Sequence, residues 1–202
     1  IQGGGHHGSH PHLVNEFVLR SKTDEAVYLQ ENISGNCIES NEYFVSAESG
    51  HDDNPGTEYE PMLTIRKVLS LVKESSEVTT IHVASGLYSP STTGELFPIT
   101  IPDNVHLIGD ERETTILDAN ASQSEESGVI IIPECENVKV ANMTLRRGYT
   151  ESHGCSGGGA LLVTANDTRD LTWDTRTNNA VVENLILENS HSKNGGGLSL
   201  FR

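Results

Sequence analysis

The chain has 202 residues, enough for one sizeable core and too few for two ordinary domains to be assumed. Twenty-nine acidic side chains against thirteen basic ones leave a formal charge of −16, which argues against a nucleic-acid or anionic-membrane partner. It suits an extracellular protein kept soluble by repulsion, or one that collects divalent cations. No run approaches the roughly 18 apolar residues of a spanning helix, so no membrane insertion is expected. Three cysteines, Cys37, Cys135 and Cys155, are too sparse for a disulfide framework and read as free thiols.

Residues 1–42 form a poorly defined N-terminal segment. Glu16-Phe-Val-Leu-Arg20 and Glu25-Ala-Val-Tyr-Leu29 read as two short strands around a Ser-Lys-Thr-Asp turn. They are either the end of a preceding domain or an edge of the next one. His6, His7, His10 and His12 cluster in a glycine-rich stretch without a nearby Cys or acidic ligand, which reads as a solvated loop more readily than as a metal site. From residue 43 the pattern is regular. Tyr43-Phe-Val-Ser46 is a strand, and Ser49 to Thr57 is dominated by turn formers. Pro61 opens an amphipathic helix over residues 61–74, with Met62, Ile65, Val68, Leu69 and Val72 at helical spacing.

Short strands then follow in quick succession: 79–83, 99–101, 105–108, 115–117, 129–132, 138–140, 143–145, 160–163, 180–182, 185–187 and 198–200. The chain also repeats itself. Asn137 to Leu145 precedes one glycine triplet, Gly157–Gly159, and the matching segment Asn179 to Leu187 precedes another, Gly195–Gly197. The 42-residue offset reads as two coils of about 21 residues. Three-residue strands so close together predict a right-handed parallel β-helix, an all-β solenoid in which each residue stacks on its equivalent one coil away. Asn142 and Asn184, between paired strands, suit tight left-handed corners with stacked side chains. A solenoid end exposes core and strand edges, and the helix at 61–74 is the expected N-terminal cap. The strand at the C-terminus lacks a cap and the first residue is Ile, so this β-helix domain of residues 43–202 is expected to be truncated there, with the remainder of a longer polypeptide as its neighbour.

The run Tyr43-Phe-Val-Ser, Asp52-Asp-Asn-Pro-Gly-Thr, Thr64-Ile-Arg-Lys-Val and Ile81-His-Val-Ala-Ser-Gly-Leu-Tyr-Ser89 resembles the opening of pectin-lyase-like right-handed β-helix proteins. With Val105-His-Leu-Ile-Gly109 and Thr114-Thr-Ile-Leu-Asp118 it is similar to a bacterial surface-protein family of unknown function. The resemblance covers residues 43–202. It implies the fold and an extracellular or cell-surface location, whereas activity in that superfamily ranges over lyases, hydrolases, adhesins and non-catalytic repeats.

Three functions follow as expectations. The first is a non-catalytic surface module for adhesion or carbohydrate binding, its partner a polysaccharide or cell-surface glycan. Trp173, the single tryptophan, lies in a polar insertion with Asp170, Asp174 and Arg176, where it either stacks on a sugar ring or packs under its own loop. Arg146 and Arg147 form the next candidate set. The second is a Ca²⁺-assisted polysaccharide lyase, with Arg146 or Arg147 as base beside Asp118, Glu134, Glu136 or Glu151. The third is a structural stalk or spacer. For calcium as cofactor, Asp52, Asp53 and Asn54 are weak ligand candidates, because their spacing departs from an EF-hand loop and suits a side-chain-stabilised turn.

Overall fold

The computed structural model describes residues 18–20, 26–28, 41–72, 77–133, 135–151, 157–164 and 180–201. They belong to two units divided between Ser40 and Asn41. In the first unit β1 (Val18–Arg20) and β2 (Ala26–Tyr28) pair antiparallel, with Val18 opposite Tyr28. These are the two strands expected from their β-branched and aromatic content.

The second unit begins with β3 (Glu42–Val45) and α1 (Ile65–Leu69), followed by β4 (Thr79–Val83), β5 (Gly86–Tyr88), β6 (Ile99–Thr100), β7 (Val105–Gly109) and β8 (Thr115–Asp118). It continues through β9 (Ile130–Ile132), β10 (Val138–Arg146), β11 (Tyr149–Thr150), β12 (Leu161–Thr164), β13 (Ala180–Glu188), β14 (His191–Ser192) and β15 (Leu198–Phe201). The described strands of this unit pair in parallel, in ladders. β3, β4, β7 and the first halves of β10 and β13 stack Tyr43, Ile81, Leu107, Val140 and Val182 in one column. β5, β8 and the second halves of β10 and β13 stack Tyr88, Leu117, Leu145 and Leu187 in another. A third ladder of β6, β9, β12 and β15 aligns Ile99, Ile130, Leu161 and Leu198. β11 and β14 make a short fourth.

Alternation decides which side chains go inside. Along β4 and β7 every second residue is buried, so Ile81, Val83, Val105 and Leu107 face a core that also holds Leu117, Ile130, Ile132, Val140 and Leu145. The outcome is an all-β, solenoid-like stack of curled parallel sheets with almost no helix.

The repeat length differs from the expected 21 residues. Phe44 pairs with His82, Ile81 with Leu107, Leu107 with Val140 and Val140 with Val182, steps of 38, 26, 33 and 42 residues. The 42-residue repeat is therefore one coil and not two. Strand register is fixed by stacking, while the connections vary in length, so no constant period survives in the sequence. The corner asparagines behave as expected. Asn142 and Asn184 have φ of 59° and 51°, and Asn184 Nδ2 donates to Asn142 Oδ1 at 2.9 Å. A second corner repeats the device, Asn137 Nδ2 donating to Asn104 Oδ1 at 3.2 Å.

The helix is shorter than the 61–74 expected. Met62 forms a parallel bridge with Val45, and the Pro61 carbonyl accepts from His51 N and Asn54 Nδ2, which keeps residues 61–63 extended. Thr64 is the N-cap, its hydroxyl accepting from Lys67 N. Two carboxylates from outside the helix complete its first turn. Asp52 accepts from Leu63 N and Thr64 N, and buried Glu95 accepts from Ile65 N at 2.7 Å and Arg66 N at 3.1 Å. Burial pushes the Glu95 carboxyl above its usual range despite these bonds. Ile65 and Val68 are fully buried in the core.

Candidate functional site

The second ladder ends in charge. Its last register row is Asp118, Arg146 and Glu188, contributed by β8, β10 and β13. At the next corner Asn120, Arg147 and Asn189 all adopt positive φ, 50°, 53° and 50°. Asparagine accommodates that backbone well, whereas an arginine there carries strain of roughly 1–2 kcal/mol. What Arg147 gains is Asp118. The carboxylate has a side-chain exposure of 0% and accepts from Arg146 Nε at 2.7 Å, and from Arg147 Nε and Nη2, both at 2.6 Å. Asn120 N donates a further bond at 3.0 Å.

Burial alone would raise the Asp118 carboxyl. The two guanidinium groups and the Asn120 amide reverse that and hold it below the usual carboxylate range. The same bond holds Arg147 more firmly protonated than a free arginine. Arg146 also lies 3.8 Å from Glu188 on the neighbouring strand. Both arginines keep part of their surface in solvent while their bonds to Asp118 hold them in place.

Directly after Gly148 the chain enters β11, where Tyr149 pairs with His191 of β14. Their rings stack at a centroid distance of 4.6 Å and an angle of 21°. Glu151 ties them together, accepting from the Tyr149 hydroxyl at 3.0 Å and meeting His191 Nε2 at 2.9 Å. Those bonds, the His191 one first, lower the Glu151 carboxyl, and burial with the Glu151 contact raises the Tyr149 phenol. Glu126 accepts from Glu151 N at 3.1 Å. Residues 146–151 thus carry two fixed cations, an aromatic ring stacked on His191 of the neighbouring strand and an exposed carboxylate along one short stretch of chain.

Of the residues singled out from the sequence, Arg146, Arg147, Asp118 and Glu151 fall within this stretch or against it. Trp173, Asp170, Asp174 and Arg176 lie outside the described residues, as do Glu134, Cys37, Cys155 and the histidines at 6, 7, 10 and 12. Asp52, Asp53 and Asn54 form a turn. The Asp52 carboxylate is taken up by Leu63 N, Thr64 N and the Thr64 hydroxyl, Asn54 Nδ2 donates to Pro61 O, and the Asp53 side chain stands in solvent. Among the described residues no three His, Cys, Asp or Glu side chains converge as a metal-binding group. Cys135 is buried, and burial pushes its thiol up to about 11. His82 stacks on Phe44 at 4.7 Å.

Tyr149, His191 and Glu188 were missed as partners, although a signal was present. Tyr149 and His191 are 42 residues apart, the same step as Asn142 and Asn184. Reading that step as two coils separates them, and reading it as one sets them side by side. Elsewhere, an open hollow of 290 Å³ lined by Arg66, Leu69, Leu96, Pro98 and Ile99 shares no residue with the arginine site.

Residues 48–147 match the profile of a family described as Protein of unknown function (DUF1565). The matched segment takes in Asp118, Arg146 and Arg147 and stops before Tyr149. No curated protein and no solved structure matches the chain.

Proposed function

We propose that the chain is a non-catalytic extracellular or cell-surface module on a right-handed parallel β-helix, with α1 covering its β3 end, and that it binds carbohydrate around Arg146 and Arg147. The observation that carries this reading is the buried Asp118 carboxylate gripping both guanidinium groups. Donors fixed in advance lose little entropy on binding, and part-exposed guanidinium groups suit the hydroxyl pairs of a sugar. The Tyr149–His191 pair adds an amphipathic surface for the apolar face of a ring. The charge of −16 repels polyanionic glycans, so neutral polysaccharides are the expected ligands.

The lyase reading asks Arg146 or Arg147 to accept a proton. An arginine clamped to a carboxylate is the poorer base, because the carboxylate stabilises its charged form. The test is an assay of the purified chain against neutral and acidic polysaccharides, with and without Ca²⁺. Binding and the ultraviolet absorbance of an unsaturated product are read on the same samples. Binding of neutral polymers without product, weakened at least about tenfold by Arg147→Ala, is the expected result. A Ca²⁺-dependent rise in absorbance overturns it in favour of the lyase.

A further inference from the structure

Four asparagines, Asn32, Asn120, Asn142 and Asn166, stand in Asn-x-Ser/Thr triplets with no proline between. Such a triplet can accept a glycan where the asparagine amide and the hydroxyl two residues on are both reachable from solvent. Asn32 and Asn166 lie outside the described residues, and the fold treats the other two in opposite ways. Asn142 is within β10, half-buried, and its Oδ1 takes the Asn184 amide at 2.9 Å. Thr144 is 4% exposed and donates its hydroxyl to the Arg112 carbonyl. Reaching that triplet requires β10 to leave the strands on either side of it.

Asn120 follows β8 at an exposed corner. Its backbone N–H donates to Asp118, while its side-chain amide has no hydrogen bond among the described residues. Ala121 N donates to the Arg147 carbonyl at 2.8 Å, and beyond it the chain departs from the ladder. Ser122 and Glu125 then exchange two backbone bonds of 3.1 Å each, closing a small turn in which residues 122–125 are all exposed. The Ser122 hydroxyl meets the Ser124 hydroxyl at 3.0 Å, a contact between two solvent-facing side chains. Amide and hydroxyl are therefore both accessible without opening a strand, and a substituent on the Asn120 amide displaces no bond of the fold.

We infer that Asn120 of the folded chain is an acceptor for N-linked glycosylation, taking an oligosaccharide from a lipid-pyrophosphate carrier. The bond that forms joins Asn120 Nδ2 to the anomeric carbon of the first sugar. The bond that breaks is the one from that carbon to the pyrophosphate oxygen, which leaves with the electron pair. The displaced Nδ2 proton passes to a base of the transferase, and nothing is oxidised or reduced. This glycan is carried by the chain, whereas the proposed function concerns one that is bound by it. The two share the exported location alone, and transfer to the purified chain reads the acceptor whatever the polysaccharide assay gives.

The folded chain is incubated with a lipid-pyrophosphate-linked oligosaccharide and a membrane oligosaccharyltransferase of Asn-x-Ser/Thr specificity, and glycopeptides are mapped by mass spectrometry. Transfer to Asn120 is expected at least about tenfold faster than to Asn142, whereas synthetic peptides spanning the two triplets both accept the glycan. Ser122→Ala removes the hydroxyl and keeps the corner asparagine. It is expected to abolish transfer to Asn120 and leave the urea midpoint unchanged. No transfer to Asn120 in the folded chain, transfer to Asn142 at an equal rate, or transfer that survives Ser122→Ala would each overturn the inference.

Discussion

Replacing Arg147 separates two effects that the native corner combines, backbone strain and the grip on Asp118. Arg147→Asn puts at this corner the residue found at both neighbouring corners, so it removes most of the left-handed strain and breaks two of the three arginine bonds to Asp118. Arg147→Ala breaks the same bonds and keeps the strain. Hydrogen bonds to charged groups are each worth about 1.5–3 kcal/mol, but Arg147 is half in solvent and Arg146 stays behind to hold the carboxylate. The net cost of Arg147→Ala is therefore expected near 2–3 kcal/mol. Arg147→Asn should recover about 1 kcal/mol of that, the difference between an alanine and an asparagine at positive φ. Urea unfolding followed by circular dichroism reads both, and in a chain of this size the recovered amount corresponds to a rise of about 2–4 °C in Tm over Arg147→Ala. Equal stability of Arg147→Asn and the native chain would refute the claim that Asp118 offsets the strain. Equal stability of the two variants would refute the strain itself.

Other outcomes follow from the same geometry. The Asp118 carboxyl sits lower in the folded chain than in the unfolded one, so its contribution is complete above the usual carboxylate pKa of about 4 and disappears as pH falls through the depressed folded value. Asp118→Asn should flatten the decline of the urea midpoint at acid pH relative to the native chain. Gly148→Ala would place its Cβ 1.7 Å from the Gly159 carbonyl oxygen, a clash with backbone that no rotamer relieves, and a loss on the order of 3 kcal/mol should appear in the same unfolding assay. Glu95→Ala leaves two amides at the start of α1 without their acceptor, and a cost of about 1–3 kcal/mol is expected in thermal unfolding.

Strands were legible because alternation and short apolar runs are local, so β4, β7 and β9 were placed almost to the residue, whereas β10 was read as two strands, 138–140 and 143–145, and is one. Asn142 and Asn184 were legible for the same reason, since a corner residue declares its backbone by type. The period was not legible, because it depends on connections whose lengths nothing in the ladder constrains. That error had a cost at the site. Arg146 and Arg147 stood out as the basic residues of their coil, and Asp118 as a nearby acid, but the row joining Asp118, Arg146 and Glu188 exists only in the stacked register. The end of α1 illustrates the same limit. Its first amides are held by Glu95, thirty residues onward, and no helix-capping pattern in the sequence reaches that far.

The in-register ladders also set a ruler along the molecule. Side chains at one ladder position recur at the strand separation of a β-sheet, about 4.8 Å per coil, whatever length of chain intervenes. A long ligand lying along the stack therefore meets its contacts at a fixed pitch. A polymer whose own repeat is commensurate with that pitch keeps every unit in phase with a binding group, and one that is not drifts out of phase within a few units. Discrimination between chains of the same sugars joined by different linkages would then be a matter of spacing along the stack, before any individual contact is made.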